Sequence, residues 1–424
     1  MVCHDPNSSS PASRAHLLPR STARLPTLAR RGADDPATRP HMSWRRHTGL
    51  AVRAMVRGDL AAISFMMFIL LVVALSIDLA KWLDTVRARA EATDSPLWQV
   101  LFPYIGYRST DIVTRLLTMA CVAGGFVVTL LRHQRLDDVV LAAAGASPSL
   151  RLTALLISGV LLGTVQMAGE NWLRPSAVKA QVAANLGDYG NRYHNTDVGT
   201  QWMRTDTRAL RATVTRGPEA HLSNLMLFDG IDQPDLTFVL HAETVTPRGL
   251  RNVWTLKNVT IWEPGVSEPP DFEPTLDFAL NISFEKLRWY GIDGYYLPND
   301  VARVIAVTDT SEATPTAADA ATALAVRKVA IFLPGIFAFL GVSLASLGTQ
   351  GRRLSPFKLL ALATVGYLAV VSVKVFWALG IHGVLSPMLA ATLPALFALG
   401  LATLLQLYQA GYLPRPRRNT GSLP

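Results

Sequence analysis

Apolar residues are concentrated in long runs near both ends of the chain, and a more polar stretch at residues 170–325 lies between them. An α-helix needs ~20 apolar residues to cross about 30 Å of hydrocarbon, and each run is close to that length. The pattern therefore predicts six transmembrane helices, three on each side of a polar insert. The predicted helices cover residues 60–80, 112–131, 152–168, 329–347, 357–379 and 385–407.

Within the insert, the hydrophobic period changes from that of a helix to that of a strand. Residues 238–246 and 253–263 alternate apolar and polar side chains and are rich in valine, threonine and aromatics. Residues 236–240 and 276–284 add candidate strands, and residues 285–307 indicate a helical segment. The sequence thus predicts a membrane α-helical protein, three helices plus three, with an inserted β-domain of sandwich or jelly-roll type.

Basic residues flank the apolar runs in a way that indicates orientation. Arginine and lysine accumulate before the first run, between the second and third, between the fourth and fifth, and after the last. These four segments share one side if the chain crosses the membrane six times, and the positive-inside rule makes that side cytoplasmic. The β-insert is therefore expected in the periplasm. The residues concerned in the loops and the C-terminal tail are Arg132, Arg135, Arg151, Arg352, Arg353, Lys358, Arg415, Arg417 and Arg418.

Composition supports a membrane protein and argues against nucleic-acid binding. Half of the residues are hydrophobic, 17% are charged and the formal net charge is +9. The excess of basic residues lies beside the apolar runs, where it encodes membrane topology. The two cysteines, Cys3 and Cys121, provide neither a disulfide framework nor a cysteine-rich metal site.

The sequence divides into five segments. Its N-terminal part is rich in serine, proline, alanine and arginine and reads as a disordered tail, or as residues upstream of a true start at Met42 or Met55. The segments are the tail 1–50, the first three helices with their connector at 51–169, the β-domain at 170–325, the last three helices at 326–410, and a cytoplasmic tail at 411–424.

The motifs of common catalytic and nucleotide-binding sites do not occur in the sequence. There is no GxxxxGK[ST] loop for nucleotide phosphates, no HExxH metal motif and no GxSxG nucleophile motif. We therefore expect no catalytic residue, no metal and no cofactor in this chain. Any ATP-driven step would need a second subunit.

The connector at residues 135–147 carries an amphipathic pattern. Its residues at spacings i, i+3, i+4 and i+7 share one helical face, and Gly145 suits the end of a short helix. The face consists of Asp137, Val140, Leu141 and Ala144. One interpretation is a plain connector lying at the membrane interface; the other is a docking element for a cytoplasmic partner.

Several basic residues lie where the predicted topology places the outer leaflet. Lys81 and Arg87 follow the first run, Arg115 lies within the second, and Lys374 lies in the fifth. A charge within a membrane span is costly and calls for a reason. These cations either bind lipid phosphates, or they snorkel to the interface and pair with acidic neighbours. The acidic candidates are Asp78, Asp84, Asp111 and Glu170.

Four local motifs, in this order, resemble those of the LptF/LptG permease family of the lipopolysaccharide-export ABC transporter. The resemblance covers roughly residues 50–410 and includes the arrangement of three helices, a periplasmic β-jelly roll and three helices. The motifs are LDDVVLAAAGAS (136–147), GENWLRPSAVKAQ (169–181), IFLPGIFAFLGVSLASLGTQGRR (331–353) and FWALGIHGVLSPMLAATLPALFALG (376–400).

The resemblance implies an inner-membrane permease that pairs with a paralogous permease to form a lateral cavity for lipopolysaccharide. A cytoplasmic ABC ATPase dimer would dock on the helix at 135–147, and a periplasmic jelly-roll bridge protein would receive the lipid. By position, Asp137 matches the family's acidic coupling residue, one methylene shorter than the glutamate of its usual form. Ala142 stands where arginine or another polar residue is common. The implied docking set is Asp137, Asp138, Leu141, Ala142 and Gly145.

The implied lipid-binding set is Lys81, Arg87, Arg115 and Lys374, of which the first two fall where the family's first helix carries basic lipid-contacting residues. Two other functions stay open from the sequence. One is a membrane-anchored adaptor with a periplasmic β binding module. The other is a permease for a different lipid or for lipoproteins.

Overall fold

The computed structural model describes most of the chain from residue 41 onward. The described residues are 41–145, 147, 149–204, 207–248, 252–265, 269–280, 282–308, 314–349 and 355–412. The predictions for residues 1–40 and 413–424, and for the basic pair Arg352 and Arg353, lie outside them. The contacts that follow lie within one compact unit, His47–Pro424.

Twelve α-helices occur in the described ranges, six before the β-strands and six after them. The first six are α1 (His41–Ala92), α2 (Leu97–Arg135), α3 (Asp137–Ala143), α4 (Ser149–Ala168), α5 (Arg174–Ala183) and α6 (Gly187–Tyr193). The last six are α7 (Phe284–Arg288), α8 (Asn299–Thr308), α9 (Ala317–Val329), α10 (Leu333–Gly348), α11 (Pro356–Ile381) and α12 (Pro387–Gln409).

The long apolar helices account for the predicted membrane spans. Within the described residues, α1, α2, α4 continuing into α5, α11 and α12 are each long and apolar enough to cross a membrane. The pair α9 and α10, bent by 64° at a short break, makes a sixth span if the two are counted together. The span predicted at 329–347 therefore corresponds to the end of α9, the bend and α10. Pro334 lies in the first turn of α10, where a proline fits because no N–H is needed there.

Helices α2 and α10 form the centre of the membrane part because glycines let their backbones touch. A Cβ added at Gly341 would lie 2.2 Å from the carbonyl oxygen of Val122, and one at Gly125 would lie 2.6 Å from that of Ala338. Phe337 is fully buried beside this contact. The two helices therefore pack without an intervening layer of side chains.

The β-domain is one six-stranded antiparallel sheet whose strands follow sequence order. The sequence predicted a sandwich or a jelly roll; the structure instead joins each strand to its neighbour by a short connection, which yields a meander. The strands at 238–246 and 253–263 correspond to β4 and β5. The sheet consists of β1 (Asp197–Arg204), β2 (Arg208–Thr215), β3 (His221–Asp229), β4 (Phe238–Pro247), β5 (Val253–Trp262) and β6 (Asp271–Ala279).

The predicted strand at 276–284 ends early, and a helix begins before its end. Strand β6 stops at Ala279, and Phe284 opens α7. The hydroxyl oxygen of Ser283 accepts a hydrogen bond from the backbone N–H of Lys286 at 3.2 Å, which is an N-cap. This helix adds to the core of the sheet, since Leu287 and Trp254 belong to the same apolar cluster.

Two connectors join the sheet to the membrane part. The entry connector runs from α4 through a π-helical turn, Gly169–Leu173, into α5 and α6. The exit connector runs from α7 through a 3₁₀ turn, Gly294–Tyr296, into α8 and α9. The membrane α-helical architecture with an inserted β-domain, as expected from the sequence, is confirmed.

Candidate functional site

The connector predicted at residues 135–147 contains the short helix α3, and its docking role stays a prediction. Helix α2 stops because Leu136 adopts a left-handed conformation, with φ of 58°, and its N–H caps the carbonyls of Arg132 and His133. Asp137 then opens α3, and Gly145, with φ of +77°, follows it. The side chains of Asp138 and Ala142 are outside the described set.

Helix α3 has exposed charged and apolar side chains. Asp137 is exposed, Val140 is 64% exposed and Leu141 is half-buried. Together they border a groove of about 820 Å³ between α1, α2 and α3. Small α1 residues line its opposite wall: Ala51, Ala54, Gly58, Ala61 and Ala62. Helix α3 thus presents an acidic side chain beside the exposed side chains of Val139 and Val140.

A buried ion pair fixes α1 to α2 beside this groove. The guanidinium of Arg132 donates to a carboxylate oxygen of Asp59 at 2.8 Å and to the carbonyl of Met55 at 3.1 Å. Both charged side chains are buried. Met55 and Arg132, which also line the groove, therefore belong to a buried contact between α1 and α2.

The four predicted lipid-binding cations lie on three different helices. Lys81 and Arg87 are exposed on α1, and Lys374 is exposed on α11. The ammonium of Lys81 lies 4.8 Å from the ring centre of Trp82, a cation–π distance. Arg115, on α2, is 40% exposed and forms an ion pair with Asp111 at 3.0 Å. Of the four, therefore, Arg115 is part of a polar network.

Asp111 is the centre of that network. Its carboxylate is 1% exposed and accepts hydrogen bonds from Arg108 at 3.0 Å, from Arg115 at 3.0 Å and from the hydroxyl of Tyr189 at 2.7 Å. Arg108 and Arg115 lie three residues before and four after Asp111, so all three share one face of α2. Pairing with an acidic neighbour, one of the two interpretations of Arg115, is thus present.

The network extends to α1 through Asp78. Arg108 donates to Asp78 at 2.7 Å, and the hydroxyl of Tyr104 donates to the other carboxylate oxygen at 2.6 Å. Asp78 lies towards the C-terminal end of the apolar part of α1. These bonds hold the part of α1 around Asp78 against α2.

The π-helical turn adds a second buried ion pair. Arg174 is fully buried and forms a two-pronged ion pair with Glu170, one turn earlier. Its Nε donates to the hydroxyl of Thr114 on α2 at 3.0 Å, and its guanidinium lies 3.6 Å from the ring centre of Tyr295. A π-turn inserts one extra residue into a helix and re-aims the side chains that follow. Here it brings Arg174 back onto α2.

Tyrosines from both connectors meet at this point. The hydroxyls of Tyr189, on the entry connector, and of Tyr296, on the exit connector, both accept from the guanidinium of Arg115. Burial raises the pKa of Tyr189 well above its usual value, and the nearby negative charge of Asp111 raises it further. Tyr189 therefore stays protonated and can donate to Asp111.

The exit connector is also tied to α9. Arg327 is buried, and its guanidinium donates to the carbonyls of Tyr295 at 2.9 Å and Leu297 at 2.8 Å. It donates as well to the side chain of Asn299 at 2.7 Å, which in turn donates to Asn171 of the π-turn at 3.0 Å. Entry and exit connectors are thereby linked side by side.

Sequence reasoning identified part of this network. Asp78, Asp111 and Glu170 were predicted as acidic partners of the cations, whereas the tyrosines and Arg327 were not predicted as members. The spacing of Glu170 and Arg174, four apart after an apolar run, is a signal that could have indicated a buried pair. As far as the structure describes the chain, no group of three or more potential metal-ligating residues is placed to hold a metal.

Among the described residues, the geometry consists of buried ion pairs, a tyrosine cluster and the exposed helix α3. The model of one protein family, described as lipopolysaccharide export system permease LptF/LptG, matches residues 54–408. No curated protein gives a significant match to the chain. The matched residues include the whole sheet and all of the described membrane helices except the first part of α1, before residue 54, and the last residue of α12. This chain therefore belongs to the LptF/LptG family, a family of transport permeases of the lipopolysaccharide export system.

Proposed function

We propose that this chain is one permease subunit of an ABC transporter that extracts lipopolysaccharide from the inner membrane and passes it to a periplasmic bridge. The observation that carries the proposal is the exposed helix α3, which protrudes between two membrane spans in a chain that matches the family over residues 54–408. The chain has no phosphate-binding loop, so a separate ATPase dimer supplies the energy.

The ATPase docks on α3 from the cytoplasmic side. Arginines at both ends of the α2–α3–α4 connection, Arg132 and Arg151, support a cytoplasmic position for it by the positive-inside rule. Exposed Val140 offers apolar contact area and Asp137 offers charge. The proposed docking set remains Asp137, Asp138, Leu141, Ala142 and Gly145.

A paralogous permease completes the lipid cavity. Large apolar side chains cover the outward faces of α1, α11 and α12, and these faces need either lipid or a partner span. Exposed Lys81, Arg87 and Lys374, with the partly exposed Arg115, would contact lipid phosphates at the outer leaflet. Examples of the exposed apolar residues are Phe65, Phe68, Leu360, Leu368 and Phe397.

The β-domain receives the lipid in the periplasm and hands it on. Strands β1 and β6 are the edges of the described sheet, and each has one partner strand. An open edge can pair with a strand of another β-domain, which is how a jelly-roll bridge protein would join. This arrangement gives the lipid a continuous β-structure to follow.

Charge reversal at Asp137 tests the docking assignment. Asp137→Lys should reduce co-purification of the cognate ATPase with the permease pair, because it replaces the negative charge that α3 presents to the ATPase with a positive one. A matched control is Asp232→Lys, which reverses an exposed charge in the loop between β3 and β4. Equal ATPase recovery and equal lipopolysaccharide export in the two variants would rule out Asp137 as a docking residue.

A further inference from the structure

Both connectors of the β-domain are fastened to the same helix. Tyr189 on α6 donates to Asp111 at 2.7 Å and accepts from Arg115 at 2.7 Å. Tyr296, more than a hundred residues later in the chain and beyond the sheet, accepts from the same Arg115. We call these four residues, Asp111, Arg115, Tyr189 and Tyr296, the Asp111 joint. It is the place where the two chain segments that enter and leave the sheet contact α2.

The sheet is in turn fastened to both connectors. Arg216, just after β2, donates to the carbonyls of Arg192 at 2.9 Å and Asn195 at 2.8 Å on the entry side. It also donates to the carbonyl of Tyr290 at 3.2 Å on the exit side. One buried guanidinium therefore holds the base of the sheet to the two segments that carry the tyrosines.

The other end of α2 leads directly into α3. From Asp111 to Arg135, α2 runs for about 36 Å at ~1.5 Å per residue, with no proline in this part. Leu136 is the one residue between the helices, and its carbonyl accepts from the N–H groups of Val139 and Val140. Helix α3 is therefore joined to α2 through a short hydrogen-bonded link.

We propose that α2 transmits movement between the ATPase-docking helix α3 and the β-domain, and that the Asp111 joint is the contact through which the β-domain follows. This inference rests on the proposed function, in which an ATPase acts on α3. Coupling is reciprocal in equilibrium terms, so a change in the β-domain also biases α3.

The chemistry of the joint suits transmission better than an apolar contact would. Asp111 is buried, and a buried charge that loses its hydrogen bonds is costly, so Asp111 holds the hydroxyl of Tyr189 in one direction. Arg115, itself paired with Asp111, donates to the hydroxyls of both tyrosines. An apolar contact is non-directional and tolerates rotation. Rotation of α2 therefore has to be followed by α6 and by the 3₁₀ turn.

Helix α6 provides a matched pair of variants for the test. Tyr189→Phe removes the hydroxyl that bonds to Asp111 and Arg115. Tyr193→Phe removes a buried hydroxyl with no hydrogen-bond partner among the described residues, and its ring is stacked with that of Tyr189 at 6.5 Å. The two substitutions delete the same atom from the same helix, and they differ in whether the joint is cut.

The measurement uses the complete complex of this chain, its permease partner and the ATPase dimer, reconstituted with lipopolysaccharide. Photo-crosslinking reports lipid in the membrane part and lipid delivered to the sheet, and phosphate release reports ATPase activity. Tyr189→Phe should lower delivery to the sheet about tenfold, the loss that corresponds to one hydrogen bond to charged groups. Its ATPase rate and its crosslinking in the membrane part should match those of Tyr193→Phe.

Equal delivery by Tyr189→Phe and Tyr193→Phe would overturn the proposal. A parallel fall in ATPase activity, membrane crosslinking and delivery would also overturn it, since that pattern indicates a purely structural role.

If the Tyr189→Phe variant fails to assemble, hydrogen exchange of the wild-type complex tests the proposal instead. Amide protection in α6 and in the 3₁₀ turn should change about tenfold between the ATP-bound and nucleotide-free states, and unchanged protection would overturn the proposal. This measurement needs no lipid. If the wild-type complex delivered no lipopolysaccharide to the sheet, the proposed function would be contradicted. Hydrogen exchange would still test the Asp111 joint in that case.

Discussion

At the scale of single residues, the membrane part depends on charges that are buried together. Glu170 lies in the π-turn, Arg174 directly follows it, and both side chains are almost completely buried. Removing one member of such a pair leaves the other as an uncompensated charge, whereas removing both is much less harmful. The pair therefore contributes to the choice of conformation more than to net stability.

This difference can be measured as thermal unfolding in detergent. We expect Arg174→Leu and Glu170→Leu each to destabilise the chain by about 3–5 kcal/mol. The double variant should unfold at a higher temperature than either single variant. Arg208, which pairs with Asp229 at a partly exposed site on the sheet, is the control: Arg208→Leu should cost about 1 kcal/mol or less. A double variant less stable than both singles would contradict this interpretation.

At the scale of secondary-structure elements, α2 and α10 can approach closely because glycines without side chains lie at their contact. A Cβ at Gly341 would overlap the carbonyl of Val122, which belongs to the backbone of α2 and has no rotamer to change. Helices α2 and α10 must therefore separate to accept any larger residue. By contrast, a Cβ at Gly400 on α12 meets nothing within 4 Å.

Alanine substitutions at these two glycines should have opposite effects. Gly341→Ala should destabilise the folded chain by about 1–3 kcal/mol through overpacking. Gly400→Ala should be neutral or stabilising by up to ~1 kcal/mol, because alanine favours the helix. Melting temperatures of the two variants in the same detergent provide the comparison. Similar melting temperatures would show that α10 can shift without loss.

The elements also show what the sequence can predict. The membrane helices were predicted because the signal of lipid burial is local and continuous. Strands β1 to β3 were missed because they contain fewer β-branched and aromatic residues than β4 and β5. The Asp111 joint was not predictable from one sequence, since Tyr189 and Asp111 are 78 residues apart and Tyr296 and Arg115 are 181 apart.

At the scale of the whole molecule, the proposed orientation places α3 and the sheet on opposite sides of the membrane. The basic residues near α3 support this orientation, and the sheet contributes none of the predicted cytoplasmic loops. Gly145 beside α3 and Asp232 in the loop between β3 and β4 are both exposed, so they are suitable positions for labelling.

Cysteine accessibility tests the orientation directly. In a chain with Cys3→Ser, the remaining native Cys121 is buried and should not react. Asp232→Cys should be labelled by a membrane-impermeant maleimide when only the outer membrane is opened. Gly145→Cys should be labelled only after the inner membrane is also opened. Labelling of both positions from the same side would contradict the proposed topology.

The position of the Asp111 joint has a consequence for chimaeric permeases. The sequence suggests exchanging the β-domain between relatives at residues 170 and 325, where the polar insert begins and ends. Those cuts pass through the joint, because Tyr189 and Tyr296 would come from the donor while Asp111 and Arg115 would stay with the recipient. Cuts at the strand ends, just before β1 and just after β6, leave all four residues in one parent. A graft should therefore be designed at the sheet boundary rather than at the membrane boundary.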